Sequence, residues 1–113
     1  MRTGIVTTLL AGGVSLVAAS AQAQPALVAK GTLAFGAQKC SMCHAVAGKG
    51  NAKGPLDGVG ANYKAAELRQ WLVAPAEMTA KHNATRKPAM RDFSKLPAED
   101  IDALVAYLQS LGK

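Results

Sequence analysis

The 113-residue chain has only two cysteines and two histidines, and that shortage excludes several chemistries at once. Structural zinc takes four ligands, usually from two separated pairs, and here only His82 lies outside a single Cys/His cluster. No alternating strand-like run surrounds the cysteines, which removes the βαβ setting of a thioredoxin-like redox pair. No apolar run reaches the roughly 20 residues that span a bilayer. Internal repeats, low-complexity tracts, basic runs and groove-reading motifs are also lacking, so a repeat architecture and nucleic-acid binding are not expected. Acidic residues are few, seven against 13 lysines and arginines, for a net charge of +6.

What the chain does have is Cys40-Ser41-Met42-Cys43-His44, the C-x-x-C-H pattern of covalent c-type haem attachment. The spacing has a geometric reason. On a helical turn, positions i, i+3 and i+4 share one face, so Cys40, Cys43 and His44 point the same way and can hold one flat macrocycle. The two thiols add to the porphyrin vinyl groups and the imidazole reaches the iron. Ser41 and Met42 are expected to point away. A disulfide across the pair would leave His44 without a role.

The N-terminus reads as a secretory signal peptide covering residues 1–23. It has one cation, Arg2, an apolar run from Ile5 to Ala19, and an Ala21-Gln22-Ala23 end of the A-x-A type. Its glycines at 4, 12 and 13 make a poor permanent membrane helix, so cleavage after Ala23 is expected. The remainder, Gln24 to Lys113, is one small domain with a net charge of about +5, since residues 1–23 hold one cation and no acid. A domain this size buries a marginal core, and a haem fixed through two thioethers would supply both a staple and an apolar face.

The domain reads as all-α. Pro25 opens a first helical segment with apolar positions at Leu27, Val28, Gly31, Leu33, Ala34 and Phe35. Gly31 inside it costs about 1 kcal/mol against Ala, which points to close approach by another element. The run GKGNAKGPLDGVG from Gly48 to Gly60 is loop. A second helix is expected over Lys64 to Val73, with Leu68, Trp71 and Leu72 on one face and Pro75 stopping it. Ala76 to Leu96 lacks periodicity, and loops this long in a small domain are usually functional. Pro97 to Leu111 closes the chain with a stripe of Ile101, Leu104, Val105, Leu108 and Leu111, and Glu99, Asp100 and Asp102 suit its N-terminus.

The whole domain resembles a small bacterial class I cytochrome c. The resemblance rests on Gly31 and Phe35 ahead of the haem-attachment motif, Gly54-Pro55-Leu56 after it, Trp71, Met90, and Ile101 to Leu111 with Tyr107. It implies a cytochrome c fold: three to four helices around a covalently attached haem c, with the N- and C-terminal helices crossing at Gly31, Phe35 and Tyr107. It also implies that the free carbonyl of Pro55 accepts a hydrogen bond from His44 Nδ1, fixing the tautomer and raising the ligand's basicity. Trp71, by the same resemblance, hydrogen-bonds a haem propionate or serves as a core aromatic.

The residues alone leave the second axial position open to Met90, Met78, His82 or nothing. The resemblance favours Met90, which lies where the family places its thioether. The chain departs from the pattern nearby, with Pro88 two residues before Met90 and Arg91 directly after it, where many relatives carry proline. An iron held by His44 and Met90 has no free position for substrate, which implies electron transfer rather than catalysis. No second histidine or carboxylate is placed for acid–base work on a peroxide.

The expected function is that of a periplasmic one-electron carrier between redox protein partners, a dehydrogenase or cytochrome complex as donor and an oxidase or other cytochrome as acceptor. The alternatives are a dedicated haem subunit of a periplasmic dehydrogenase, for example a sulfite dehydrogenase, and a haem sensor or peroxidase-like protein with an exchangeable sixth ligand. A cytochrome c-prime bundle is disfavoured, because its motif lies near the C-terminus. Lys39, Lys49, Lys53, Lys81, Arg86, Lys87 and Arg91 are expected to rim the haem and steer acidic partners.

Overall fold

The computed structural model describes residues 17–112, together with Gly4, Gly12 and Gly13. The expected signal peptide therefore lies largely outside the described residues.

The element order is α1 (Val17–Ala37), a 3-10 turn at Cys40–Met42, strands β1 (Ala45–Val46) and β2 (Lys49–Gly50), then helices α2 (Val59–Asn62), α3 (Ala65–Val73), α4 (Pro75–Lys81) and α5 (Ala98–Ser110). The expected all-α architecture holds, with one two-stranded antiparallel ribbon in the glycine-rich stretch. Among the described residues, no helix is long and apolar enough to cross a membrane.

The largest helix–helix interface is the crossing of α1 with α5. Gly31 is buried there, and a Cβ on it would run into the Ala103 carbonyl and come within 2.6 Å of Tyr107 Cβ. The glycine thus lets two backbones meet, which offsets its poor helix propensity. Phe35 and Tyr107 pack edge to face beside it, with ring centroids 5.2 Å apart. Lys30 reaches Glu99 at 2.8 Å, joining the same two helices at an exposed edge.

Helix α5 places Ile101, Leu104, Val105 and Leu108 in the core, against Leu68 and Leu72 of α3. Helix α3 starts where expected: the Glu67 carboxylate accepts the Lys64 N–H at 3.1 Å, satisfying a backbone donor at the helix start. Asp102 pairs with Arg69 across the α3–α5 interface.

Four expectations are corrected. Helix α1 begins upstream of Pro25, which lies inside it rather than opening it. Leu33, expected on the apolar face, is 76% exposed. It follows Gly31 by two positions, about 200° around the helix, so the face that presents Gly31 to α5 turns Leu33 outward. Pro75 does stop α3, but it also opens α4, taking the first helical position where its missing N–H costs nothing. Finally, Gly48–Gly60 is not all loop, since it contains β2 and the start of α2.

Candidate functional site

Lys39 adopts a left-handed conformation, φ 57°, that separates the end of α1 from the turn carrying the motif. Cys43 N and His44 N both donate to Cys40 O, at 3.1 and 2.9 Å, so the motif forms the expected single turn. Cys40 is half-buried and Cys43 exposed. Burial pushes the Cys40 thiol up, and the positive charge of Arg91 opposes that shift.

The loop after the motif folds back over it. Asn51 N donates to His44 O, and the Asn51 side-chain amide donates to Met42 O, each at 3.1 Å. Ala45 N donates to Gly54 O at 3.0 Å and Leu56 N to Ala45 O at 2.8 Å, forming a parallel bridge between Ala45 and Pro55. His44 Nδ1 lies 3.0 Å from Gly54 O.

This corrects the assignment of the acceptor to Pro55. Successive carbonyls along extended backbone point to opposite sides, and at the Ala45–Pro55 bridge it is the Gly54 oxygen that faces His44. Proline's fixed φ still shapes the turn, and Pro55 still lines the site. Gly54 has no room for a side chain, because a Cβ would strike both the Arg86 guanidinium and the Cys43 carbonyl. Burial lowers the basicity of the His44 imidazole, the bond to Gly54 O opposes this, and the nearby Arg86 charge reinforces it. A neutral imidazole with Nδ1–H directed at a carbonyl leaves Nε2 as its free lone pair.

Cys40, Cys43 and His44 open onto a cavity of about 690 Å³. Met90, Trp71 and Pro55 line the same cavity, so the structure brings all six expected site residues around one space. Met78 does not line it. It is 5% exposed and packed within α4, which removes this candidate for the second axial position from the cavity. Met42 is 68% exposed and borders the rim.

His82, exposed in the turn after α4, also stacks on Trp71 with ring centroids 5.5 Å apart and meets the edge of Tyr63 at 6.0 Å. Sequence spacing gave no sign of this contact, because α4 is what carries His82 back over α3. Gly54 as acceptor, Arg86 against it, and Arg91 reaching Gln38 O at 2.6 Å were likewise not read from the sequence.

The donor set and the walls fit a haem. Two thiols and an imidazole lie on one turn, a thioether lies on a distant loop, and Phe35, Leu56, Leu68, Leu72, Leu104 and Leu108 supply an apolar lining. Such side chains suit the flat faces of a porphyrin, and few polar groups compete with it.

A family model described as Cytochrome c matches residues 28–112. No match was found among curated proteins or among solved structures. The match spans the crossing helices, the motif and the late methionine loop alike, and the chain therefore belongs to the cytochrome c family, as a small class I electron-transfer protein with covalently bound haem c.

Proposed function

We propose that this protein is a periplasmic one-electron carrier in which His44 and Met90 are the axial ligands of the haem iron. The observation that carries the reading is that the His44 imidazole and the Met90 thioether line one cavity together with Cys40 and Cys43. Bound there, haem c supplies a Fe(III)/Fe(II) couple, and a methionine ligand favours the reduced state.

The chain's own residues then have defined tasks. Cys40 and Cys43 hold the group covalently. Gly54 O orients His44, and the apolar lining excludes water from the iron's surroundings, which limits the reorganisation that accompanies a change of charge. With both axial positions filled from the chain, no position remains for substrate or O2. The N-terminal residues 1–23 supply the route across the inner membrane, in keeping with their n-region, apolar run and A-x-A end.

The seven basic residues expected around the haem are all exposed, and Lys39, Arg86 and Arg91 border the cavity itself. Among the described residues, none of the seven forms a salt bridge. The ion pairs of Glu99, Asp100 and Asp102 go to Lys30 and Arg69 instead. Unneutralised cations at the mouth favour acidic redox partners.

Carbon monoxide added to the reduced protein tests the carrier reading. At neutral pH it should bind slowly or not at all. Rapid, complete binding would instead favour the sensor or peroxidase-like reading, in which the sixth position is exchangeable.

A further inference from the structure

The segment that carries Met90 is poorly anchored by its own backbone. Between Ala84 N, which donates to Thr79 O, and Phe93 N, which donates to Leu72 O, residues 85–92 make no backbone–backbone hydrogen bond. On one side the segment faces the haem cavity. On its other side Ala89 and Met90 also border a second hollow of about 490 Å³, walled by Val73, Pro75, Glu77 and Asp92. Packing on that outer side is therefore sparse.

One side chain crosses from this segment to the other half of the site. Arg91 donates from its guanidinium to Gln38 O at 2.6 Å, 53 residues away in sequence. Gln38 lies one residue past the end of α1 and two before Cys40. Its carbonyl belongs to the negative end of the helix, where a cation is favoured. The guanidinium also sits 5.2 Å from the centroid of the Phe93 ring, and Phe93 is itself anchored through its N–H to Leu72 O at 2.9 Å. Arg91 is thus held at a second point and joins the residue next to Met90 to the stretch next to Cys40.

We propose that Arg91 is a positioning residue that clasps the Met90 loop to the end of α1 and so keeps the methionine sulfur directed into the haem cavity. This rests on the reading of Met90 as an axial ligand. Proline in this position would stiffen the backbone, whereas Arg91 fixes the loop through a bond to the opposite wall. The planar, forked guanidinium suits the task because it can donate to a carbonyl while stacking on a ring, which an ammonium does poorly.

The test is the rate at which imidazole displaces the sixth ligand in the ferric holoprotein, measured at saturating imidazole, where loop opening limits the reaction. Losing a charge-assisted hydrogen bond should raise that rate roughly tenfold in Arg91→Gln. Arg91→Lys should show a smaller rise, and the methionine-to-iron charge-transfer band should persist in both without imidazole. Arg69→Gln, which removes an ion pair remote from the loop, controls for a general loss of stability. A parental rate in Arg91→Gln, or a rise no larger than in Arg69→Gln, overturns the clasp. If Arg91→Gln does not hold haem, Phe93→Leu is read the same way, with a several-fold rise expected and a parental rate contradicting the proposal. Met90→Ala separates the two failures: a band that survives there contradicts the ligand reading, whereas a band lost there with Arg91→Gln at the parental rate contradicts only the clasp.

Discussion

His44 Nδ1 lies 3.0 Å from the carbonyl oxygen of Gly54, and that oxygen also accepts the backbone N–H of Ala45. One carbonyl thus fixes both the imidazole and the strand that follows it. Gly54→Ala would drive a methyl group into Arg86 and the Cys43 carbonyl, displacing that acceptor. A loss of about 2–3 kcal/mol in unfolding free energy and a reduced yield of holoprotein are expected. Pro55→Ala keeps the acceptor and should cost no more than about 1 kcal/mol. Denaturant titration of both variants, with haem absorbance as a second readout, checks the contrast.

The crossing of α1 and α5 depends on the missing side chain at position 31. Gly31→Val places two methyl groups where Ala103 O and Tyr107 Cβ already lie. Separating the helices should cost about 3 kcal/mol or more, enough to unfold much of a marginal domain. Leu33→Ala, on the exposed face of the same helix, should stay within about 0.5 kcal/mol. Thermal melts of the two variants measure both effects.

The same crossing should weaken in alkali. The hydrogen bond to Glu99 holds the Lys30 ammonium above its ordinary pKa. Burial raises Tyr107, favouring the neutral phenol. Both groups keep their protons in the folded chain at pH values where the unfolded chain has begun to lose them. Their contribution is therefore full below about pH 10 and is lost as pH rises through the raised values. Tyr107→Phe removes one of the two groups, so its stability should fall less steeply than that of the parent as pH rises above about 10.

The exposed cations at the cavity mouth make a kinetic prediction. Oxidation of the ferrous protein by an anionic iron complex should slow as ionic strength rises, and oxidation by a cationic cobalt complex should speed up. Replacing Lys53 and Lys87 with Glu should flatten both dependences. Stopped-flow traces across a salt series give the slopes directly.

The haem turn was legible because its chemistry sits in five contiguous residues whose spacing matches a helical turn. Gly31 was legible for a similar reason, since a glycine inside a helical segment implies a neighbour, and Tyr107 is that neighbour. Boundaries marked by proline or by periodicity over three turns also emerged, as at Val73 and in α5. Helix α4 did not, because seven residues are too few to display a period. The acceptor for His44 was misassigned by one residue, because a sequence shows which residue lacks an N–H but not which of two adjacent carbonyls turns inward. His82 and Arg91 act through partners 11 and 53 positions away, Trp71 and Gln38, and no local pattern encodes such contacts.

The central claim concerns which sulfur faces the iron. Met90 lines the haem cavity, while Met78 is buried in α4 away from it. Absorption spectra of the ferric Met90→Ala and Met78→Ala holoproteins test this most directly. The methionine-to-iron charge-transfer band should vanish in Met90→Ala and survive in Met78→Ala. A band that persists in Met90→Ala and disappears in Met78→Ala would contradict it.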